Sequence, residues 1–415
     1  MTQFTPPSSS RPGPGQVPEP RTAGDPGEPR TAVLRALADR PAPLAPPGAV
    51  AALTDRFLVH TSWGAARAVL PLLPQLGGVV LRGAEAATGV GQLHHAGFSG
   101  VLAIDPEGYA EAAATAEQPF VLPTGGLFDV SLPEYLQGQR DLGATVTLTP
   151  TGYLWAGDSE ALRAATSLAA DLDRDDVLFS APLDIGWFTD DHIDHLIAVL
   201  AQLSMPKAVF LGGQFDPLER YKASVRNLRR LVGEAGHVAV LRTDLTGFDA
   251  VCHGAFAASI GTGGSLRHII PFGQRRQAAN RDQSPSVLHG DLMTFFKGTT
   301  LAKRFANHPA PTCNCPACGG RALDSFHGTD DSADAHAHGI YTWNLWVALI
   351  QEQPTLAARA SWWQRRAAEA ITHCDELNSQ LGQDGAFTPP ATLKAWAELP
   401  PWPTGASTPQ RSRTH

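Results

Sequence analysis

The sequence predicts an α/β fold: a (β/α)8 TIM barrel followed by a small cysteine-bearing C-terminal subdomain. Three observations lead there. Short β-branched apolar runs recur along residues 56–261, with alanine- and leucine-rich helical stretches between them. Each run is continuously apolar rather than alternating, as parallel strands buried on both faces are. Beyond the last run, three of the chain's five cysteines fall within six residues.

The runs, in order, are RFLVH (56–60), GVVLR (78–82), GVLAID (100–105), ATVTLTP (144–150), DVLFSAP (176–182), AVFLGG (208–213), HVAVLR (237–242) and FAASIG (256–261). FVLP (120–123) competes for a ninth. SEALRAATSLAADL and LERYKASVRNLRRLV are amphipathic, and Asp158 or Ser159 can cap the first of them. An open doubly wound sheet is the runner-up. It calls for a Gly-rich turn after the first strand, and HTSWGAA does not match that fingerprint.

Residues 1–48 are rich in Pro, Gly and Ser and bury too little apolar surface to offset chain entropy, so they are expected to be disordered. The expected barrel runs over 49–272 and the cysteine-bearing helical part over 273–395, with a second disordered tail at 396–415. The N-terminus lacks the apolar core of a secretory signal. No stretch reaches the roughly 18 apolar residues of a membrane span. A cytoplasmic protein with reduced thiols and no membrane partner is therefore expected.

Reduced thiols at Cys313-x-Cys315-x-x-Cys318 point to a metal. This spacing lets three thiolates face one centre, and zinc takes four ligands in a tetrahedron. His327, His336 and His338 are the nearby fourth ligands. His338 is favoured, because GIYTWNLWVALIQ reads as a helix starting just after it. Three Cys and one His make a closed, structural zinc site.

In such a barrel the function sits where strands end. Those positions read His60, Arg82, Asp105, Thr149 and Thr151, Asp184, Gln214 and Asp216, Arg242 and Asp244, then Gly261 to Gly264. An aspartate before proline is a common turn residue, but four carboxylates and two arginines at one rim exceed what turns require. The GTGG segment offers backbone N–H groups to an anion.

A barrel followed by Cys-x-Cys-x-x-Cys and a histidine on a later helix resembles the tRNA-guanine transglycosylases. The resemblance rests on VLHGDLMTFFKGTTLAKRFANHPAPTCNCPACGG, on HGIYTWNLWVALIQ and on the glutamine–glycine turn in FLGGQFDPLERY. It is clearest over 205–350 and architectural over 50–200. It implies structural zinc and exchange of guanine for a modified (7-deaza)guanine in tRNA or DNA. The family's two aspartates are missing. Their places fall on Pro123, followed by Thr124, Gly125 and Gly126 in LPTGGLFDVSL, and on Ala258 in FAASIGTGGSLRH. A divergent member must use other carboxylates.

Asp105 is then expected as nucleophile and Asp184, in its apolar setting, as acid/base, with Asp216 beside them. Gln214, with Gly212 and Gly213, would read a purine edge. Asp244, Gly263 and Gly264 would also face substrate, and Tyr153, Trp187 or Phe215 would stack on the base. Charge supports a nucleic-acid partner. Residues 105–194 hold 17 acidic and three basic side chains, whereas 266–304 hold seven basic and two acidic. Arg267, Arg275, Arg276, Lys303 and Arg304 are the expected phosphate contacts. The alternative is a non-catalytic relative that binds nucleic acid or serves as a partner subunit, in a homodimer or heteromer. A metal-dependent hydrolase is weaker, since His60 is the one histidine at a strand end.

Overall fold

Eight parallel strands form the barrel expected from the sequence. They are β1 (Arg56–Ser62), β2 (Gly78–Arg82), β3 (Val101–Asp105), β4 (Thr147–Leu148), β5 (Val177–Asp184), β6 (Lys207–Gly212), β7 (Val238–Thr243) and β8 (Ala257–Gly261). The architecture comes from a computed structural model that describes residues 27–70, 77–123, 130–277 and 282–402. Strand order is β3-β2-β1-β8-β7-β6-β5-β4, all pairs parallel. The ring nearly closes between β3 and β4, where Thr145 N donates to Leu102 O at 2.7 Å. Phe120 forms one isolated bridge to Thr151 and not a ninth strand.

Strand side chains alternate in direction. Leu58, Val80, Ala103, Leu178, Ala208 and Phe210 belong to the cluster inside the barrel. Phe57, Val59, Val79, Leu81, Leu102 and Phe179 pack outward instead. There they meet helices α2 (Trp63–Val69), α3 (Ala86–His95), α5 (Leu132–Asp141), α6 (Ser159–Ala170), α7 (Ile193–Gln202), α8 (Ser224–Glu234) and α9 (Thr246–Cys252), whereas the short α4 (Gly108–Glu111) puts Tyr109 into the inner cluster. These helices follow α1 (Gly27–Ala38) in the chain. Asp158 does cap α6, accepting from Ala161 N.

Two boundaries differ from expectation. Part of the expected N-terminal tail is helical: α1 packs on α8, and its Leu34 and Leu37 are buried. Two leucines one turn apart suffice to anchor a helix that composition alone hides. At the other end, structure continues to Trp402, whose ring stacks on His253. Residues 1–26 and 403–415 of the expected tails lie outside the described residues.

After the barrel come a hairpin, β9 (Ser286–His289) with β10 (Thr294–Lys297), helix α10 (Gly298–Arg304) and a small ladder, β11 (Thr312–Cys313) with β12 (Arg321–Ala322). Three helices complete the chain: α11 (Ser332–Gln351), α12 (Leu356–Leu381) and α13 (Ala391–Glu398). Phe248 of α9 joins the two parts, stacking on Phe57 of β1 and on Trp363 of α12. No described helix is long and apolar enough to cross a membrane.

Candidate functional site

The cysteines sit in a tight knuckle after β11. Cys318 N and Gly319 N both donate to Cys315 O, Gly320 N donates to Cys313 O, and Cys315 N points at Cys313 Sγ. Gly319 and Gly320 have φ of +56° and +95°, the left-handed region that glycine enters without strain. The ligand atoms of Cys313, Cys315, Cys318 and His338 all lie within 4.8 Å of one another. His338 Nδ1 is 3.4 Å from Cys318 Sγ and 3.8 Å from Cys315 Sγ. A tetrahedron with zinc bond lengths has edges of about 3.5 Å. His338 Nε2 lies 2.8 Å from Leu288 O; donating there leaves Nδ1 bare and aimed at the sulfurs. Burial and the neighbouring thiols push Cys313 and Cys318 above the usual thiol range, so three thiolates share this space only around a cation. The four donors are thus positioned to hold a metal ion.

His338 stands in the second turn of α11, not at its start, because the helix already begins at Ser332. His336 faces away, toward Gly263 of the barrel. His327 is exposed and outside the cluster.

At the barrel mouth, the inward face of the strands turns polar. His60 and Asp105 follow Leu58 and Ala103 on that face. Asp105 Oδ2 meets His60 Nε2 at 3.1 Å, Tyr109 Oη at 2.6 Å and Arg242 Nη1 at 3.4 Å, while Oδ1 accepts from Glu107 N. Ser259 Oγ meets the other His60 nitrogen, Nδ1, at 3.1 Å. Arg242 Nη1 also donates to Glu107 Oε1, which takes a second bond from Arg82 Nε. Glu107 and Arg242 both have positive φ, a strain that the network holds in place. Burial alone would raise the Asp105 carboxyl, but the His60 hydrogen bond and the Arg242 charge bring it down to about 2. Burial keeps His60 below its ordinary value.

Asp105 is only 2% exposed and its oxygens are taken, so it is a lock at the mouth and not an open nucleophile. Asp184 is tied too: Oδ2 accepts from Tyr153 Oη at 2.8 Å and Oδ1 from Gly186 N. Tyr153 and Trp187 are fully buried and serve the core. Gln214 uses both ends of its amide on one loop. Nε2 donates to Gln274 Oε1 and Arg275 O, and Oε1 accepts from Gln277 N. Gly212 is glycine because a Cβ would lie 2.4 Å from Tyr153 Oη. Gly213 N donates to Ile269 O. Neither Asp105 nor Asp184 lines the pocket that holds Asp216.

The remaining carboxylates do meet. A pocket of about 300 Å³ opens beside the mouth, lined by Asp216, Asp244, Gly264, Arg267, His268 and Phe295, with Thr392 and Trp396 from α13. Asp216 Oδ1 accepts from Leu218 N and Oδ2 from Thr392 Oγ1 at 2.6 Å. Burial and the nearby Asp244 charge push the Asp216 carboxyl up to about 7. Asp244 Oδ1 caps Thr246 N. The Arg267 guanidinium lies 3.3 Å from the Phe295 ring centre, and burial takes it down to about 9 against the pull of Asp244. His268 falls to about 4 through burial and the charges of Arg276, Arg242 and Arg267.

The basic residues split. Arg275, Arg276 and Lys303 are exposed. Arg276 Nη2 reaches Gly264 O, across the GTGG turn. Arg304 packs against both Phe296 and Phe387 and serves the subdomain core instead of a surface. Gly263 lies beside His336 behind the pocket. Thr124 to Gly126, and Arg281 of the basic segment, lie outside the described residues. Missed in the sequence were Thr392 and Trp396, which a helix distant in the chain brings to the pocket, and Tyr109, four residues beyond Asp105.

The fold and site define a (β/α)8 barrel with a Cys3His cluster. No family model matches the chain, and no curated protein matches it. Among solved structures the chain is similar to the carboxyl transferase domain of Rhizobium etli pyruvate carboxylase, determined with pyruvate and biocytin. The identity is 10% and the TM-score 0.34, over 89% of this chain and 66% of that one, just under two thirds of its length. A likeness at that level carries no functional argument.

Proposed function

We propose that the chain is a divergent, zinc-stabilised relative of the tRNA-guanine transglycosylases, and that it exchanges a purine base in tRNA or DNA. One observation carries the reading. Asp216, held up to about 7 by burial and by Asp244, stands in an open pocket with a cation and an aromatic ring. A carboxyl poised near neutrality is suited to move a proton, and a second aspartate in the same pocket is placed to attack.

In this scheme Asp244 attacks the ribose C1′ and forms a C1′–O bond. The C1′–N bond to the leaving base breaks, its electron pair goes to the base, and Asp216 supplies the proton. The incoming base then attacks C1′, gives its proton to Asp216 and releases Asp244. Cys313, Cys315, Cys318 and His338 hold structural zinc, which leaves no open position for a reaction step. The test is incorporation of labelled guanine, or of a 7-deazaguanine, into tRNA and DNA. Wild type should incorporate label and Asp244→Asn should not. A wild type silent with every base and both polymers would end the reading.

One observation favours a second reading, that of a non-catalytic partner subunit. The buried Arg242–Glu107–Asp105–His60 network fills the mouth where the barrel's own site would lie. That reading takes over if oligonucleotides bind but no base is exchanged.

A further inference from the structure

Phe215 stands out in the whole molecule. It is a large aromatic in the left-handed region, with φ of +57°. That conformation costs a non-glycine residue about 1–3 kcal/mol. Packing does not explain it, because the side chain is 54% exposed. The ring sits on the lip of the pocket next to Asp216. Its other neighbour in the chain, Gln214, grips the 274–277 segment with three hydrogen bonds. The clamp ties the segment that carries exposed Arg275 and Arg276 to the residue next to Phe215. Arg276 also donates from Nη2 to Gly264 O on the pocket wall. Two exposed guanidinium groups on one short segment attract an anion.

We propose that Phe215, Arg275 and Arg276 form a docking rim for an unstacked stretch of polynucleotide. The ring stacks on a base at the pocket's lip, and the two guanidinium groups take the phosphates on either side. An exposed ring is of little use to a regular duplex, whose bases are already stacked, so the rim selects single-stranded or locally opened nucleic acid. The inference rests on the previous reading for its partner class and extends it to a surface and a positioning residue.

The test is fluorescence anisotropy with the zinc-loaded full chain and a labelled oligonucleotide of about 16 nucleotides, as single-stranded DNA, single-stranded RNA and duplex. Phe215→Ala should weaken single-strand binding about tenfold or more, and Phe215→Trp should keep it. Arg275→Glu with Arg276→Glu should weaken binding and flatten its salt dependence. Equal binding by Phe215→Ala and wild type, a preference for the duplex, or no binding to any probe would each overturn the proposal. Labelled-base incorporation, run in parallel, separates the two readings. Binding without exchange sinks the reaction and leaves the rim. Exchange with unimpaired Phe215→Ala binding sinks the rim and leaves the reaction.

Discussion

Asp216→Asn should stabilise the protein above neutral pH. An ordinary aspartate titrates at 3.8, whereas burial and Asp244 hold Asp216 at about 7. Between those values the folded state keeps a proton that the unfolded chain has lost. Stability therefore falls as pH rises from about 4 to about 7, and the full penalty stands above 7. The difference corresponds to about 4 kcal/mol for a fully shielded carboxylate. Asp216 borders an open pocket, so about 2 kcal/mol is expected. Asparagine keeps the cap on Leu218 N, and its amide N–H can donate to Thr392 Oγ1, so the fold has no other reason to suffer. Urea melts of wild type and variant, at about pH 5 and about pH 8, read the effect. The variant should gain more over wild type at the higher pH than at the lower, where about a third of the penalty is already present. Parallel pH profiles, or a variant weaker at the higher pH, would refute the pairing of Asp216 with Asp244.

Cys315→Ser should lose metal and solubility together, while wild type should hold about one zinc per chain by elemental analysis. Gly212→Ala should cost about 1–3 kcal/mol in thermal melts, because its Cβ would meet Tyr153 Oη at 2.4 Å and Leu183 O at 2.9 Å. Asp105→Asn should cost about 3 kcal/mol at neutral pH, because Arg242 keeps its buried charge with one partner fewer. With the Asp105 carboxyl lowered to about 2, its stabilisation is complete above 3.8 and is lost as pH falls toward 2, so the variant should lack that acid limb.

The barrel was legible because each strand is a short apolar run bounded by turns, and all eight runs found in the sequence are strands in the fold. The Cys3His cluster was legible because its three sulfurs are local in the chain. Helix α1 was hidden because two buried leucines do not outweigh a Pro/Gly-rich neighbourhood. The aspartates show the limit most clearly. Asp105, Asp184 and Asp216 look alike at strand ends, and only tertiary partners tell them apart. Tyr109 and Arg242 close around the first, Tyr153 takes the second, and Thr392, 176 residues away, meets the third. Local sequence holds no record of such pairings. Arg304 misled for the same reason: a basic residue in a basic segment packs against Phe387, a ring that comes from far along the chain, as well as against nearby Phe296.

The central claim is that Asp244 attacks the ribose while Asp216 serves the leaving base. The most direct measurement is the intact mass of the denatured protein after incubation with tRNA, or with single-stranded DNA, in the absence of free base. The account predicts a covalent protein–nucleic acid adduct with wild type, removed by added guanine and absent from Asp244→Asn. An adduct of equal yield with Asp244→Asn, or base exchange by a wild type that never forms one, would contradict it.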